Sequence, residues 1–400
     1  MSFPGFLPYS RQTVDDDDVA AVAAALRSDY LTTGPLVEAF ETAFATVSGA
    51  THAVACNSGT AALHLAVLAV DLGPGDAAVV PTTTFLATAN VVRMTGAEAI
   101  FADVDSETGL LTPETLSEAC QRARVGGALV KVALPVHLNG QLCDMEGLSA
   151  VAKAEGIDLI EDACHALGVA DIGAARHSRV ACFSTHAVKA IPTGEGGVVT
   201  TSDPALAERM RQLRSHGMIR DKAAFVHRGL AFDGADANPW YYEMAEIGWN
   251  YRLPDVLCAL GVSQIRKLDM MRKRRIEIVS QYDRLFAAMA PAIVPVPHDR
   301  PHGWHLYPLL IDFAALGMTR ARMMNLLRAD GIGTQVHYIP VHRQPYYKQR
   351  YGEQTLPGAD RYYDRCLSIP FYPGMSDADV ERVAAAFAKF IPQTARVASR

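Results

Sequence analysis

Short apolar runs alternate with helical patterns between about residues 50 and 260. The runs of strand length are HAVAC, AAVVP, AEAIFADV, ALVKVALPV and GIDLIEDA, and helical spacing is found between them in GTAALHLAVLAV and FLATANVVRM. Such alternation is typical of βαβ units. The pattern therefore predicts an α/β fold with a mostly parallel central sheet, and ligands in such folds bind at the carboxyl ends of the strands.

A different pattern follows residue 261. The proline-rich stretch 290–301 indicates a boundary, and the run at 305–313 is expected to be the first strand of a smaller C-terminal α+β domain. We expect a large domain over residues 1–265, and a connecting helix with the small domain over 266–400. The basic cluster RKRR, residues 272–275, is expected on the solvated face of the connecting helix. That helix is predicted from the helical spacing of Leu268, Met271, Ile278, Tyr282, Leu285 and Met289.

The composition narrows the class of protein. The chain has 400 residues, half of them hydrophobic, which is enough for a sizeable core divided between two domains. A formal net charge of −6 argues against a basic face for nucleic acid. The chain does not begin with a basic segment followed by an apolar core, and no stretch reaches about 18 uninterrupted apolar residues. We therefore expect a cytoplasmic protein without a membrane partner.

Neither the cysteines nor the histidines predict a metal site. The seven cysteines are scattered and never form a CxxC pair, which fits a reducing compartment. The pairs His302/His305 and His337/His342 lack a carboxylate or cysteine at metal-site spacing. We therefore expect no bound metal.

Lys189 and Asp162 have the most specific chemistry. Lys189 lies in FSTHAVKAIPTGEGG with apolar neighbours on both sides, which favours partial burial and a depressed pKa. Asp162 ends an earlier strand-like run, where a carboxylate is costly unless it is paired. Pyridoxal 5'-phosphate (PLP) chemistry needs an amine that forms a Schiff base and an anion that keeps the pyridine nitrogen protonated. A structural salt bridge between Asp162 and an arginine is the competing interpretation.

Other residues could hold the phosphate and the ring of such a cofactor. NSGTAAL puts Ser58, Gly59 and Thr60 where a strand passes into a helix, so that free backbone N–H groups could bind an anion. An ordinary Ser N-cap is the alternative. Phe85 follows a strand end and could stack on a flat ring, although a buried core phenylalanine is the commoner outcome. The GxGxxG and GxxxxGK(S/T) motifs are absent, which leaves nicotinamide or nucleoside-triphosphate use with little support.

Three candidates lie next to Lys189 and Asp162. Ser184 could hold phosphate, and His186 could assist proton transfer. His165 could contact the cofactor, and a hydrogen-bonded structural histidine is an equal alternative.

The order of these motifs resembles that of the DegT-type sugar-nucleotide aminotransferases, which have the aspartate-aminotransferase-like fold. The likeness runs nearly end to end, through LTTGPLVEAFE, NSGTAAL, TTFLATAN, EDACHALG, FSTHAVKAIPTGEGG, RSHGM, WNYRLPDVLCALGVSQI and QVHYIPVHRQPYY. It implies a PLP-dependent transferase of fold type I, with a smaller C-terminal α+β domain. It also implies aminotransferase activity, with pyridoxamine phosphate as the second form of the cofactor in the cycle.

The resemblance also implies roles for the site residues. Lys189 becomes the Schiff-base lysine, Asp162 the partner of the pyridine nitrogen, and Phe85 the ring-stacking residue. Asn250, in WNYR, is implied to reach the phosphate of the neighbouring subunit, so a homodimer with shared active sites is expected. The implied phosphate cradle consists of Gly59, Thr60 and Ser184.

Within the family, RSHGM, NYRLPDVLCALGVSQIRKLD and GIGTQVHYIPVHRQPYY look most like the aminotransferases of pseudaminic acid biosynthesis. This implies transfer of an amino group from L-glutamate to C4 of UDP-2-acetamido-2,6-dideoxy-β-L-arabino-hexos-4-ulose, giving UDP-4-amino-4,6-dideoxy-N-acetyl-β-L-altrosamine. Thr185 is a departure, because an aromatic residue is common there, and it puts the pocket wall beside the lysine in question. The residues implied to line the sugar-nucleotide pocket are Tyr9, Asp29, Tyr30, Leu31, Thr32, Gly59, Tyr251, Gln335, Val336, His337 and Tyr338.

Three alternatives stay open. The same chemistry could act on a different nucleotide-linked 4-keto or 3-keto sugar. A cofactor-dependent dehydratase or isomerase is disfavoured, because the dehydrase branch of the family carries histidine at the position of Lys189. A non-catalytic regulator that binds PLP would call for an added DNA-binding domain, for which the chain has no spare length.

Overall fold

The computed structural model describes residues 5–391, and its centre is a seven-stranded sheet. The strands are β1 (His52–Cys56), β2 (Asp76–Pro81), β3 (Glu98–Ala102), β4 (Leu129–Ala133), β5 (Asp158–Asp162), β6 (Val180–Ser184) and β7 (Gly197–Thr201). Their order across the sheet is β1, β7, β6, β5, β4, β2, β3. Strand β7 alone runs opposite to the other six strands. The predicted α/β fold with a mostly parallel sheet is thus confirmed.

Helices cover both faces of this sheet, and local sequence explains several of their starts. The N-cap side chain of Thr112 accepts a hydrogen bond from the Thr115 N–H, and that of Asp203 accepts one from the Ala205 N–H. Each of these two helices also has proline at its first position. The helices in this part of the chain are α1 (Asp16–Leu26), α2 (Pro35–Ser48), α3 (Gly59–Ala69), α4 (Leu86–Met94), α5 (Pro113–Val125), α6 (Met145–Glu155) and α7 (Pro204–Arg214).

A segment of short elements follows α7. It leaves large apolar side chains in solvent: Val226, Leu230, Trp240 and Ile247 are between 68% and 77% exposed. Strand β8 (Met218–Ile219) pairs with β11 (Glu243–Met244), and between them lie α8 (Arg228–Ala231), β9 (Phe232–Asp233) and β10 (Asp236–Ala237).

Two consecutive helices, α9 (Asp255–Ile265) and α10 (Leu268–Ala287), lead to the C-terminal part of the chain. The predicted connecting helix is therefore present as α10. The expectation that all of RKRR lies on its solvated face is wrong for Arg275, which is 5% exposed. The reason is helical periodicity, because Arg275 lies four residues after Met271 and three before Ile278, both of which face the core.

The C-terminal sheet consists of β12 (Ile293–Pro295), β13 (Tyr307–Ile311) and β14 (Cys366–Ile369), paired antiparallel in that order. The run at 305–313 was expected to supply the first strand, but β12 precedes it inside the proline-rich stretch. Because β12 is an edge strand, Pro295 can lack an N–H without interrupting the sheet. Around this sheet lie α11 (Arg320–Ala329), α12 (Pro345–Tyr351), α13 (Pro357–Arg365) and α14 (Asp377–Ala388).

One part of the apolar core surrounds the C-terminal sheet, and another joins Leu310 and Cys366 of that sheet to Val79 and Ala133 of the central sheet. The core of the C-terminal part includes Tyr282, Phe286 and Leu309, and Leu7 from the start of the chain packs into it. The backbone of Leu7 is also hydrogen-bonded to Gly331 and Gly333. The predicted division of the chain at residue 265 stays a prediction. In the part of the chain that the structure describes, no helix has the length and apolar character needed to cross a membrane.

Candidate active site

A cavity of about 650 Å³ opens where β1, β2, β5 and β6 end at the same edge of the central sheet. The structure thus brings together most of the predicted cofactor residues, which follow the carboxyl ends of these strands. Those that line the cavity are Ser58, Gly59, Thr60, Phe85, Asp162, His165, Ser184, His186 and Lys189.

Lys189 lies in a turn that is fixed by backbone hydrogen bonds. Its N–H donates to the carbonyl of His186, and the Ala187 N–H donates to the carbonyl of Gly194. Burial lowers the pKa of Lys189, while nearby Cys164 and Asp162 oppose that shift. A lowered pKa increases the fraction of uncharged amine, which is the nucleophilic form.

Asp162 is 5% exposed and ends β5. One carboxylate oxygen, Oδ2, accepts from the Thr88 hydroxyl at 2.7 Å, and the other, Oδ1, accepts from the Cys164 N–H at 3.2 Å. Within residues 5–391 no cation forms an ion pair with this carboxylate, so the interpretation as a salt bridge with arginine is wrong there. A buried carboxylate that lines a cavity and has no ion-pair partner among these residues fits a protonated pyridine nitrogen.

The first turn of α3 and the end of β6 form a narrow anion cradle. Ser58 accepts from the Ala61 N–H at 3.0 Å, so the N-cap interpretation is correct. The cap leaves the N–H groups of Gly59 and Thr60 without intrahelical acceptors, as a phosphate site requires. A Cβ atom on Gly59 would lie 2.8 Å from the Cβ of Ser184. Only glycine lets these two segments approach so closely, and the cradle therefore fits a phosphate group.

Two aromatic side chains flank the cavity. Phe85 is 56% exposed and its ring centroid lies 5.9 Å from that of Tyr338, so the core interpretation of Phe85 is wrong. The reason is its place as the N-cap residue of α4, where its ring projects from the strand end rather than into the sheet. A free ring at this position can stack on a flat cofactor.

His165 is both structurally hydrogen-bonded and part of the cavity wall. Its Nδ1 accepts from the Asn139 N–H at 3.2 Å, so the ring proton lies on Nε2, which is 3.3 Å from the Tyr338 hydroxyl. Burial holds the pKa of His165 well below its usual range, and Lys189 adds to that effect. His165 is therefore a neutral donor toward the cavity.

His186 lies at the cavity wall with its side chain 47% exposed, and its Nε2 is 3.9 Å from the carboxylate of Glu195. The assignment of His186 to proton transfer stays a prediction. The cavity is also lined by residues that the sequence did not single out for it, which include Thr84, Glu195, His305 and Gln344.

The predicted sugar-nucleotide residues fall into two groups. Tyr9 and residues 335–338 line the cavity of their own chain. Residues 29–32 are exposed and lie outside it, as does Tyr251, whose hydroxyl is 3.1 Å from Nδ1 of His64. Asn250 is exposed and also lies outside.

Thr185 does not form part of the cavity wall. Its side chain is buried, and its hydroxyl is 2.6 Å from that of Thr193. The departure from the aromatic pattern at this position therefore alters the packing under the Lys189 turn and not the surface that a substrate meets.

Known proteins resemble this chain over nearly its whole length. The family model for the DegT/DnrJ/EryC1/StrS aminotransferase family matches residues 12–388. The spore coat polysaccharide biosynthesis protein SpsC of Bacillus subtilis is 42% identical, over 94% of this chain and 95% of its own.

Solved structures of aminotransferases also resemble this chain over nearly its whole length. Helicobacter pylori PseC, an aminotransferase involved in the biosynthesis of pseudoaminic acid, has a TM-score of 0.85 and 27% identity, covering 96% of this chain and 99% of its own. The putative sugar aminotransferase Spr1654 of Streptococcus pneumoniae, in its PLP form, has a TM-score of 0.84 and 26% identity, covering 96% and 98%.

Proposed function

The chain belongs to the DegT/DnrJ/EryC1/StrS aminotransferase family and is a PLP-dependent sugar aminotransferase, and from this premise we propose its substrates. We propose that it transfers an amino group from L-glutamate to C4 of UDP-2-acetamido-2,6-dideoxy-β-L-arabino-hexos-4-ulose, giving UDP-4-amino-4,6-dideoxy-N-acetyl-β-L-altrosamine. The likeness to PseC over 96% of the chain supports this choice of sugar. As the chain is an enzyme, the hypothesis of a non-catalytic regulator is wrong.

One observation carries the reaction: a partly buried lysine and a buried carboxylate that forms no ion pair within residues 5–391 line the same cavity. In the proposal, Lys189 anchors the cofactor covalently, and Asp162 pairs with its pyridine nitrogen. When bound, PLP supplies an electron sink that stabilises negative charge on the carbon bearing the amino group. Lys189 holds and moves the proton at that carbon, for which its lowered pKa suits it.

The other residues of the site bind and orient. We assign the phosphate to the N–H groups of Gly59 and Thr60 together with the hydroxyls of Thr60 and Ser184. Phe85 is proposed to stack on the ring. His165, a neutral donor, is proposed to hydrogen-bond to the cofactor, and His186 to assist proton transfer at the cavity wall.

We propose that the active protein is a cytoplasmic homodimer in which Asn250 reaches the phosphate in its partner's site. Its exposure, its place outside its own cavity, and the exposed apolar side chains of residues 226–247 support this. The test mixes two inactive variants, Lys189→Ala and Asn250→Ala. If sites are shared, a mixed dimer has one site with both defects and one intact site, and mixing restores activity. If mixing and subunit exchange restore nothing, Asn250 acts within its own chain.

The sugar assignment is tested by incubating the purified enzyme with L-glutamate and a panel of UDP-linked ketosugars, followed by NMR of the products. The expected result is preference for the L-arabino 4-ketosugar and a new amine at C4. The similarity to SpsC, named for spore coat polysaccharide biosynthesis, favours a second candidate, which is a different nucleotide-linked 4-keto or 3-keto sugar. Preference for such a sugar would refute the specific assignment and leave the reaction class intact.

A further inference from the structure

Two buried threonines connect the cavity wall to Asp162. The hydroxyl of Thr84 lies 2.8 Å from that of Thr88, which lies 2.7 Å from Oδ2 of Asp162. Thr84 and Thr88 are no more than 1% exposed, and Thr84 also lines the cavity. The three groups form a continuous series of buried hydrogen bonds.

The direction of these hydrogen bonds follows from the number of protons that each group can donate. An ionised carboxylate can only accept, so Thr88 must donate its single hydroxyl proton to Asp162. Thr88 is then an acceptor for its other neighbour, and Thr84 is the donor. Threonines inside helices commonly donate to the backbone carbonyl four residues earlier, but the proton of Thr88 points to another element instead.

We propose that Thr88 is a positioning residue for the cofactor, oriented by Thr84, which fixes the Asp162 carboxylate so that it can pair with the pyridine nitrogen. A carboxylate on a single rotatable side chain gains a defined direction when each oxygen has a donor, and here Thr88 holds Oδ2 while the Cys164 N–H holds Oδ1. Charge-assisted hydrogen bonds of this kind also stabilise the negative charge. The inference rests on the proposed role of Asp162 and is independent of the identity of the sugar.

The experiment measures the dissociation constant of PLP from the apoprotein by spectroscopic titration. Thr88→Val removes the hydroxyl at nearly constant volume and should weaken binding about tenfold, or about 1.4 kcal/mol, which lies near the lower end of the range for hydrogen bonds to charged groups. Thr88→Ser keeps the hydroxyl and should stay within about threefold of the wild type. Thr84→Val removes only the outer donor and should have a smaller effect than Thr88→Val.

Thr83→Val is the matched control. Thr83 is as buried as Thr88, and its hydroxyl has no hydrogen-bond partner among the described residues, so the same substitution there should leave PLP affinity unchanged. Thermal melting of each apoprotein identifies a variant that does not fold. If Thr88→Val does not fold, Thr88→Ser and Thr84→Val provide the test. A Thr84→Val protein that binds PLP with wild-type affinity would then refute the proposed role of the hydrogen bonds from Thr84 through Thr88 to Asp162.

Asp162→Asn separates the inference from the proposed function. Weaker binding in Asp162→Asn and Thr88→Val, recovered in Thr88→Ser, supports the positioning role. If Asp162→Asn weakens PLP binding but Thr88→Val does not, the positioning role of Thr88 is wrong, while the proposed role of Asp162 stands. If Asp162→Asn binds PLP like the wild type, the assignment of Asp162 fails and the inference fails with it. Equal losses in Thr83→Val and Thr88→Val would also refute the inference.

Discussion

Replacing Gly59 with alanine should weaken the binding of PLP and spare the binding of pyridoxal, which lacks the phosphate. The added Cβ would lie 2.8 Å from the Cβ of Ser184 and 3.1 Å from its hydroxyl oxygen. Carbon atoms in contact normally stay about 3.5–4.0 Å apart, so the shortfall is about 1 Å. Neither Cβ can move by a side-chain rotation, because each is fixed by its backbone. The start of α3 and the end of β6 must therefore separate.

The separation has a cost for the fold and a larger one for the anion cradle. Overpacking of this kind costs about 1–3 kcal/mol of stability, partly offset by the better helix propensity of alanine. A shift of about 1 Å also moves the N–H groups of α3 away from the hydroxyl of Ser184. Misplacement on that scale can cost on the order of a hundredfold in a positioned reaction. For binding we expect at least a tenfold loss of PLP affinity.

The assay titrates apoprotein with PLP and, separately, with pyridoxal. Gly73→Ala serves as the control, because a Cβ at Gly73 would meet nothing within 4 Å and PLP affinity should not change. The reasoning is wrong if Gly59→Ala binds PLP within about twofold of the wild type. It is also wrong if affinity for pyridoxal falls as much as affinity for PLP, because the damage would then not be specific to the phosphate cradle.

Two further predictions concern stability. Burial lowers the pKa of His64 to about 4 and the pKa of His302 and His337 to about 3. In an unfolded chain the pKa of a histidine is about 6.5. Because the unfolded state then binds more protons, the free energy of unfolding should fall as the pH decreases from about 6.5 to about 4. A midpoint of urea unfolding that stays constant over that pH range would contradict this prediction. Arg275 is buried and forms no ion pair within residues 5–391. Arg275→Met should therefore raise the melting temperature or leave it unchanged, because it removes a buried charge without a partner. A drop of more than about 5 °C would show that the charge of Arg275 is paired.

The site residues that could be predicted from sequence are those that follow a strand end. Asp162 and Ser184 end β5 and β6, and Ser58 follows β1 by one short connection. In a sheet whose strands run parallel these ends meet at one edge, so the alternating pattern alone brings the residues together. The motif order then adds the chemistry.

Features that depend on contacts between distant segments could not be predicted in this way. Thr88 is 74 positions from Asp162, and nothing in the sequence distinguishes its hydroxyl from that of Thr83, which lies just before α4. Arg275 was misassigned for a related reason, because a cluster of charge was given more weight than the apolar period running through it. Strand β12 was missed because prolines indicate a boundary unless the strand is known to lie at an edge.

There is a physical reason why only some of the predicted sugar-nucleotide residues line the cavity. A motif specifies which residue types recur near a ligand, but it does not specify which subunit supplies them. Tyr9 and residues 335–338 belong to the cavity of their own chain, while residues 29–32, Asn250 and Tyr251 lie outside it. In a twofold dimer, residues outside one cavity can complete the other. The second group therefore depends on the proposed dimer, whereas the first would keep its contacts in an isolated chain.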